Sequence, residues 1–239
     1  MRTYTEPLKA LREYEECTEA LLRKKTPVAV TGCIDSQKCH FVHTLGENYR
    51  VRLIVTYNDL KAKEICEDYR LYDPEVLYYP AKDVIFFSAD IHGNTLVRER
   101  MRVIKKLAEG APVTVVTTVD GGIDHVLPLS YMKENCIRLS EAEEVDLPEL
   151  TAKLSALGYE RQGQVEHPGE FAVRGGILDV FSLTEETPFR IEFFGDEIDS
   201  IRYFDVTNQR SIDRVEEICI YPATELILSE ERKQAGIDK

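Results

Sequence analysis

Residues 170–210, EFAVRGGILDVFSLTEETPFRIEFFGDEIDSIRYFDVTNQR, constrain the fold more tightly than any other stretch. β-Branched and aromatic residues dominate three runs separated by turn formers, the pattern of strands joined by tight connections. Residues 171–181 read as a first strand interrupted at Gly175-Gly176, residues 189–194 as a second, and residues 201–206 as a third. The connections are residues 182–188 and 195–199, both polar.

Within 189–194 the side chains alternate, with Ile191 and Phe193 on one face and Arg190, Glu192 and Phe194 on the other. Arg190 and Phe194 therefore share a face, about 13 Å apart along the strand. A Phe on the polar side of a strand is unusual, and Arg and aromatic residues are enriched at the energetic centres of protein interfaces. A solvated face with one incidental Phe is the reading that pattern alone leaves open. A turn centred near Glu185 sets Asp179 opposite Arg190 and brings Arg174 close to Phe194. Simple parity points Arg174 away from Arg190, so the expectation is a β-bulge at Gly175-Gly176 that shifts the phase.

The earlier half of the chain alternates strands and helices. Residues 7–23 read as one amphipathic helix with Leu8, Leu11, Tyr14, Leu21 and Leu22 on one side. A short buried strand is expected at 27–32, then a helix at 36–45, a strand at 50–57 and a helix at 58–69 capped by Asn58 or Asp59. A strand at 75–79, a helix at 95–109 and a strand at 112–119 complete the series. Such alternation implies a parallel sheet with right-handed crossovers. The pattern stops near Pro128. A helix at 129–135, a strand at 136–139 and a helix at 147–157, with Asp146 as cap and Pro148 in its first turn, lead into the antiparallel region. The expected fold class is α/β: a parallel-sheet lobe over 1–127 and a smaller α+β domain with an antiparallel sheet over 128–213. Residues 214–239 are a return segment and polar tail.

A phosphate-binding loop, G-x-x-x-x-G-K-[ST], has its strand-to-helix context at Gly32-Cys33-Ile34-Asp35-Ser36-Gln37-Lys38-Cys39. Gly32 and Lys38 keep the spacing, but Gln37 replaces the second Gly and Cys39 the magnesium-ligating hydroxyl, and Asp35 puts negative charge where phosphates would lie. The expectation is a degenerate loop that does not bind nucleotide. Asp196-Glu197-Ile198-Asp199 has the look of an acidic ATPase tetrad but follows Gly195 in a turn, and reads as a solvated turn. His40 and His43 lack a third ligand, and Arg98, Arg102, Lys105 and Lys106 read as a solvated helix face diluted by Glu99 and Glu109. The six Cys show no CxxC pair, which suits reduced cytoplasmic thiols, and no metal, cofactor or catalytic set can be placed.

No apolar run is long enough for a bilayer. The net charge of −13 disfavours a dedicated nucleic-acid binder, and residues 159–210 carry five Arg, no Lys and eleven Asp plus Glu. An isolated Arg in that acidic field suits pairing with a partner carboxylate.

Gly158-Tyr159, the EFAVRGGILDVF and RIEFFGDEIDSIRYFD segments and Asn208-Gln209-Arg210 together resemble the UvrB-like N-terminal module of bacterial transcription-repair coupling factors (Mfd). The resemblance is dense over 147–212 and looser but collinear through the α/β part, where UvrB has an intact phosphate loop. It implies a RecA-like first lobe and a second domain that binds the repair protein UvrA, with Arg174, Arg190 and Phe194 as the UvrA-contacting residues. Residues 77–98 are too short and too poor in Tyr for UvrB's DNA hairpin, which favours the coupling factor over UvrB. The resemblance further implies that the chain is a non-catalytic part of a longer protein whose other domains engage RNA polymerase and DNA. The alternatives are a nucleotide-dependent UvrB-like repair ATPase lobe and a DNA-binding accessory domain.

Overall fold

The computed structural model describes residues 2–82, 90–124, 126 and 128–225. The chain separates into two compact units, Met1–Ala81 with Ala111–Ile123 and Lys82–Gly110 with Asp124–Lys239.

Helices α1 (Arg2–Lys9), α2 (Arg12–Leu22) and α3 (Asp35–Gly46) open the first unit, followed by β1 (Val51–Thr56), α4 (Asp59–Tyr69) and β2 (Leu77–Tyr79). Helix α5 (Asp90–Glu109) belongs to the second unit, and the chain returns for β3 (Val113–Thr118) and α6 (Val119–Ile123). The three strands form a parallel sheet in the order β1-β3-β2, as the strand–helix alternation requires. Central β3, VTVVTT, is buried at every position, the signature of a strand covered on both faces. Helices α3 and α4 pack Cys39, Ala62, Cys66 and Tyr69 against Val116 of β3. Asn58 caps α4, its Oδ1 accepting from the Lys61 backbone N–H at 2.8 Å.

Two expectations for this unit fail. Residues 7–23 form two helices, because Leu11 is extended (ψ 136°) and starts α2 afresh. Residues 27–32 are not a buried strand; they have no regular structure, and Ala29, Val30 and Thr31 are exposed. Pro27 lacks a ladder donor and Gly32, at φ +84°, ends the run, so too few hydrogen bonds remain to hold a strand there. With α1, α2 and α3 this segment instead lines an open cavity of about 530 Å³.

The second unit continues with α7 (Leu129–Glu134), β4 (Ile137–Ser140), α8 (Leu147–Ala156), β5 (Glu160–Arg161) and β6 (Glu170–Arg174). Then follow β7 (Ile177–Val180), β8 (Phe189–Phe194), β9 (Glu197–Phe204), β10 (Ser211–Arg214) and β11 (Glu217–Ile220). Six strands form one sheet in the order β10-β9-β8-β7-β6-β5, antiparallel except for β5 with β6, and β11 pairs antiparallel with β4. One sheet face contributes Phe171, Leu178, Val180, Phe189, Ile191, Ile198 and Ile201 to a core closed by Leu150 and Leu154 of α8 and by Ile137, Leu139, Ile218 and Ile220. Asp146 caps α8 as expected, accepting from the Glu149 N–H at 2.7 Å.

The run 171–181 is two strands rather than one with a bulge. Arg174 pairs with Ile177, and Gly175-Gly176 is a two-residue hairpin turn with Gly175 at φ +62°. The basic side chains of α5 are not a solvated face either. Arg98 donates to the Glu185 carbonyl at 2.8 Å and pairs with Glu186 at 3.0 Å, Arg102 pairs with Glu186, and Lys105 with Glu185. Arg100, 1% exposed, is buried against Glu225 and Asp124.

Among the described residues no helix is long and apolar enough to cross a membrane.

Candidate partner-binding face

The opposite face of the six-stranded sheet follows from the hairpin registers. β7 and β8 pair Asp179 with Arg190 and Ile177 with Glu192, while β6 and β7 pair Ala172 with Asp179. Cross-strand partners share a face, so Arg174, Asp179, Arg190, Glu192 and Phe194 lie on one side. The pairing of Asp179 with Arg190 is the one expected from a turn near Glu185. Arg174 shares their side because the chain reverses at Gly175-Gly176, not because a bulge shifts its phase.

Asp179 sits at the centre of this face, 1% exposed. Arg190 grips it bidentately, Nε to Oδ1 at 2.7 Å and Nη2 to Oδ2 at 2.9 Å, and Arg174 Nη2 reaches Oδ2 at 2.6 Å. One carboxylate thus serves two guanidinium groups and the cluster keeps one positive charge. Bidentate charge-assisted bonds of this kind fix orientation as well as energy. The Asp179 hydrogen bonds raise the Arg190 pKa above its usual range, so the guanidinium stays charged.

A second layer holds Arg190 in place. Its Nη1 donates to the Gln209 carbonyl at 2.9 Å, and its Cζ lies 4.6 Å from the Phe204 ring centroid. The turn 205–210 presents that carbonyl: Asp205 accepts from the Thr207 and Asn208 N–H groups, and Gln209 adopts φ +59° with its Nε2 on the Val206 and Val165 carbonyls. Val165, Ala172, Phe181 and Phe204 form a small core under the turn. Three of the five Arg190 N–H groups are thereby used, leaving one on each Nη for a partner.

Phe194 ends β8 on the same face and is 83% exposed, with Gly195 at φ +66° beginning the next turn. Arg174 keeps 45% of its side chain accessible and Arg190 12%. The face therefore offers an outer guanidinium, a braced inner one and a bare aromatic ring, the residue types that dominate interface energies. The alternation of 189–194 is enough to put Arg190 and Phe194 on this face; that Arg174 shares Asp179 depends on the reversal at Gly175-Gly176, which that alternation does not encode.

The phosphate-loop residues lie in the first unit. Helix α3 begins at Asp35, whose carboxylate takes Lys38 Nζ at 2.8 Å and Lys61 Nζ at 2.6 Å. These two ammonium groups hold the Asp35 pKa down at about 2. Gln37 turns its Oε1 back to the Ile34 N–H at 3.2 Å, and Cys39 is buried in the α3–α4 core, where burial raises its thiol pKa. Gly32 stands in open space at φ +84°. The lysine that would reach a phosphate is tied to an anion at the helix start, and the position for a metal-binding hydroxyl points a thiol inward. His40 and His43 stack on Tyr72 with ring centroids 5.4 Å away in each case. Asp196-Glu197-Ile198-Asp199 is exposed except for Ile198, but it is not a turn: only Asp196 lies in the turn, and Glu197, Ile198 and Asp199 open β9.

Residues 137–226 match the UvrB interaction domain family. The chain is 33% identical over 213 residues to the transcription-repair-coupling factor of Bacillus subtilis (strain 168), an alignment covering 88% of this chain and 18% of that protein. The transcription-repair-coupling factor of Staphylococcus aureus (strain USA300) is 36% identical over 205 residues, covering 84% of this chain and 18% of that protein. That of Staphylococcus epidermidis is 33% identical over 207 residues, covering 85% and 18%. The chain thus spans less than a fifth of the length of the relatives it matches.

Proposed function

We propose, because this chain carries a UvrB interaction domain within a stretch related to bacterial transcription-repair-coupling factors, that it is a non-catalytic module that binds UvrA. Recruitment of UvrA to RNA polymerase stalled at a lesion, in the cytoplasm, is the role this binding would serve. Contacts to polymerase and DNA would come from other parts of a longer protein. The carrying observation is the pair of arginines braced on one buried carboxylate beside an exposed Phe194. Arg174 and the remaining Arg190 N–H groups would meet carboxylates of UvrA, and Phe194 would enter an apolar pocket next to them. The first lobe, RecA-like in its parallel sheet, would not engage nucleotide, since Asp35 occupies the ammonium of Lys38.

Titration calorimetry of the chain into UvrA, with Arg190→Ala and Phe194→Ala alongside, tests this reading. Loss of a central anchor costs about 2 kcal/mol or more, so each variant is expected to weaken binding at least about thirtyfold. Phe194 supports nothing inside the fold, so its variant should keep the native melting temperature. Native affinity in both variants, or no binding by the unmodified chain, would refute the assignment.

A further inference from the structure

The sheet registers continue the Asp179–Arg190 row across two more strands. Arg190 pairs with Arg202 of β9, and Arg202 pairs with Arg214 of β10. Three arginines therefore occupy paired positions on β8, β9 and β10. An irregularity between Glu192 and Phe193 in the β8–β9 register makes this alignment, since Phe194 pairs with Glu197 while Arg190 pairs with Arg202. Like charges directly opposite one another in a sheet destabilise it unless each has its own counter-charge.

Two of the three have one. Arg190 is held by Asp179, and Arg214 by Glu141, Nε to Oε1 at 2.6 Å and Nη2 to Oε2 at 3.1 Å. Arg202 is the exception: among the described residues no carboxylate lies within ion-pair distance of it, and its buried Nε has no hydrogen-bond partner. The neighbouring Glu192 is engaged by the Ser200 hydroxyl at 3.0 Å. The carboxylate whose field Arg202 shares is Glu141, already engaged by Arg214. A half-buried guanidinium with no direct counter-ion is a standing cost to the isolated chain.

We propose that Arg202 is a further contact residue of the partner-binding face, and that the partner meets it with a carboxylate from an acidic protein segment crossing β8 and β9. This rests on the UvrA reading for the identity of the partner. A guanidinium already stripped of much of its water and paired across the strands with Arg190 gains more from an external carboxylate than a solvated one would. Nucleic acid is the less suitable occupant, because Asp179 and Glu192 set negative charge beside the arginines and the chain as a whole is at −13.

The test is calorimetric titration of the full chain into UvrA at low and high salt, with Arg202→Ala, Arg202→Lys and Phe194→Ala, and a separate titration with duplex DNA. Arg202→Ala is expected to weaken UvrA binding about tenfold, the loss typical of one charge-assisted contact. It should flatten the salt dependence, and Arg202→Lys should restore part of both. The melting temperature of Arg202→Ala should be unchanged or higher, which a purely structural arginine would not allow. Native affinity in Arg202→Ala alongside lost affinity in Phe194→Ala would overturn this inference and leave the UvrA reading standing; no heat from the unmodified chain would overturn both. Arg202-dependent binding to DNA, or a melting point lowered by several degrees, would also overturn it.

Discussion

Two arginines share one carboxylate that water hardly reaches, so Asp179 carries more of the sheet face than either partner does. Removing it leaves two guanidinium groups facing each other, one of them only 12% exposed. Asp179→Ala is expected to cost about 3 kcal/mol, read from the denaturant midpoint at unchanged slope. Arg174→Ala, which removes a half-exposed partner, should cost less than about 1 kcal/mol while still weakening partner binding. In the first unit His43 has its pKa lowered, chiefly by burial and then by Arg52, with its Nδ1 unpartnered. Glu47 and Asp73 act in the opposite sense and His40 in the same one. The folded pKa lies below the unfolded value of 6.5, so this contribution is complete above 6.5 and is lost as pH falls from there through the folded pKa. The melting temperature should therefore drop as pH falls below about 6.5, and His43→Gln should flatten that drop. At this scale the sequence was readable where a strand's alternation decides a side chain's direction, as for Arg190 and Phe194. It was unreadable where a turn elsewhere decides who else arrives, as for Arg174.

The two-residue turn between β6 and β7 is the element on which the face depends. Gly175 sits at φ +62°, where a side chain costs about 1–2 kcal/mol, and a Cβ on Gly176 would meet the Phe193 carbonyl at 3.0 Å. Gly175→Val is expected to lower stability by about that amount, while Gly175→Asn is tolerated, as differential scanning calorimetry would show. A Gly-Gly doublet inside a β-rich run signals either a bulge or a hairpin, and only the registers on both sides separate the two. The caps at Asn58 and Asp146 were legible because capping needs one side chain and three residues of spacing. Residues 27–32 read as a buried strand from composition, yet burial depends on neighbours that the segment itself does not encode. The same holds for the basic side of α5, whose partners Glu185 and Glu186 lie some eighty residues on.

For the molecule as a whole, the parallel and antiparallel sheets follow the two sequence patterns, strand–helix alternation and hairpin repetition. With Asp35 ionised well below neutral pH and tied to Lys38, magnesium-ATP is expected to leave the melting temperature unchanged, since a ligand of the folded state would raise it. The chain passes between its two units three times, at residues 81–82, 110–111 and 123–124. Helix α5 therefore arrives from a separate stretch of chain to brace the connection between β7 and β8 through Arg98, Arg102 and Lys105. A segment cut from 124–225 would carry the sheet but leave Glu185 and Glu186 without these cations and Glu225 without Arg100, and should melt below the full chain. Anyone wishing to transplant the binding face onto another scaffold would need two grafts rather than one, with the helix and the sheet moved together.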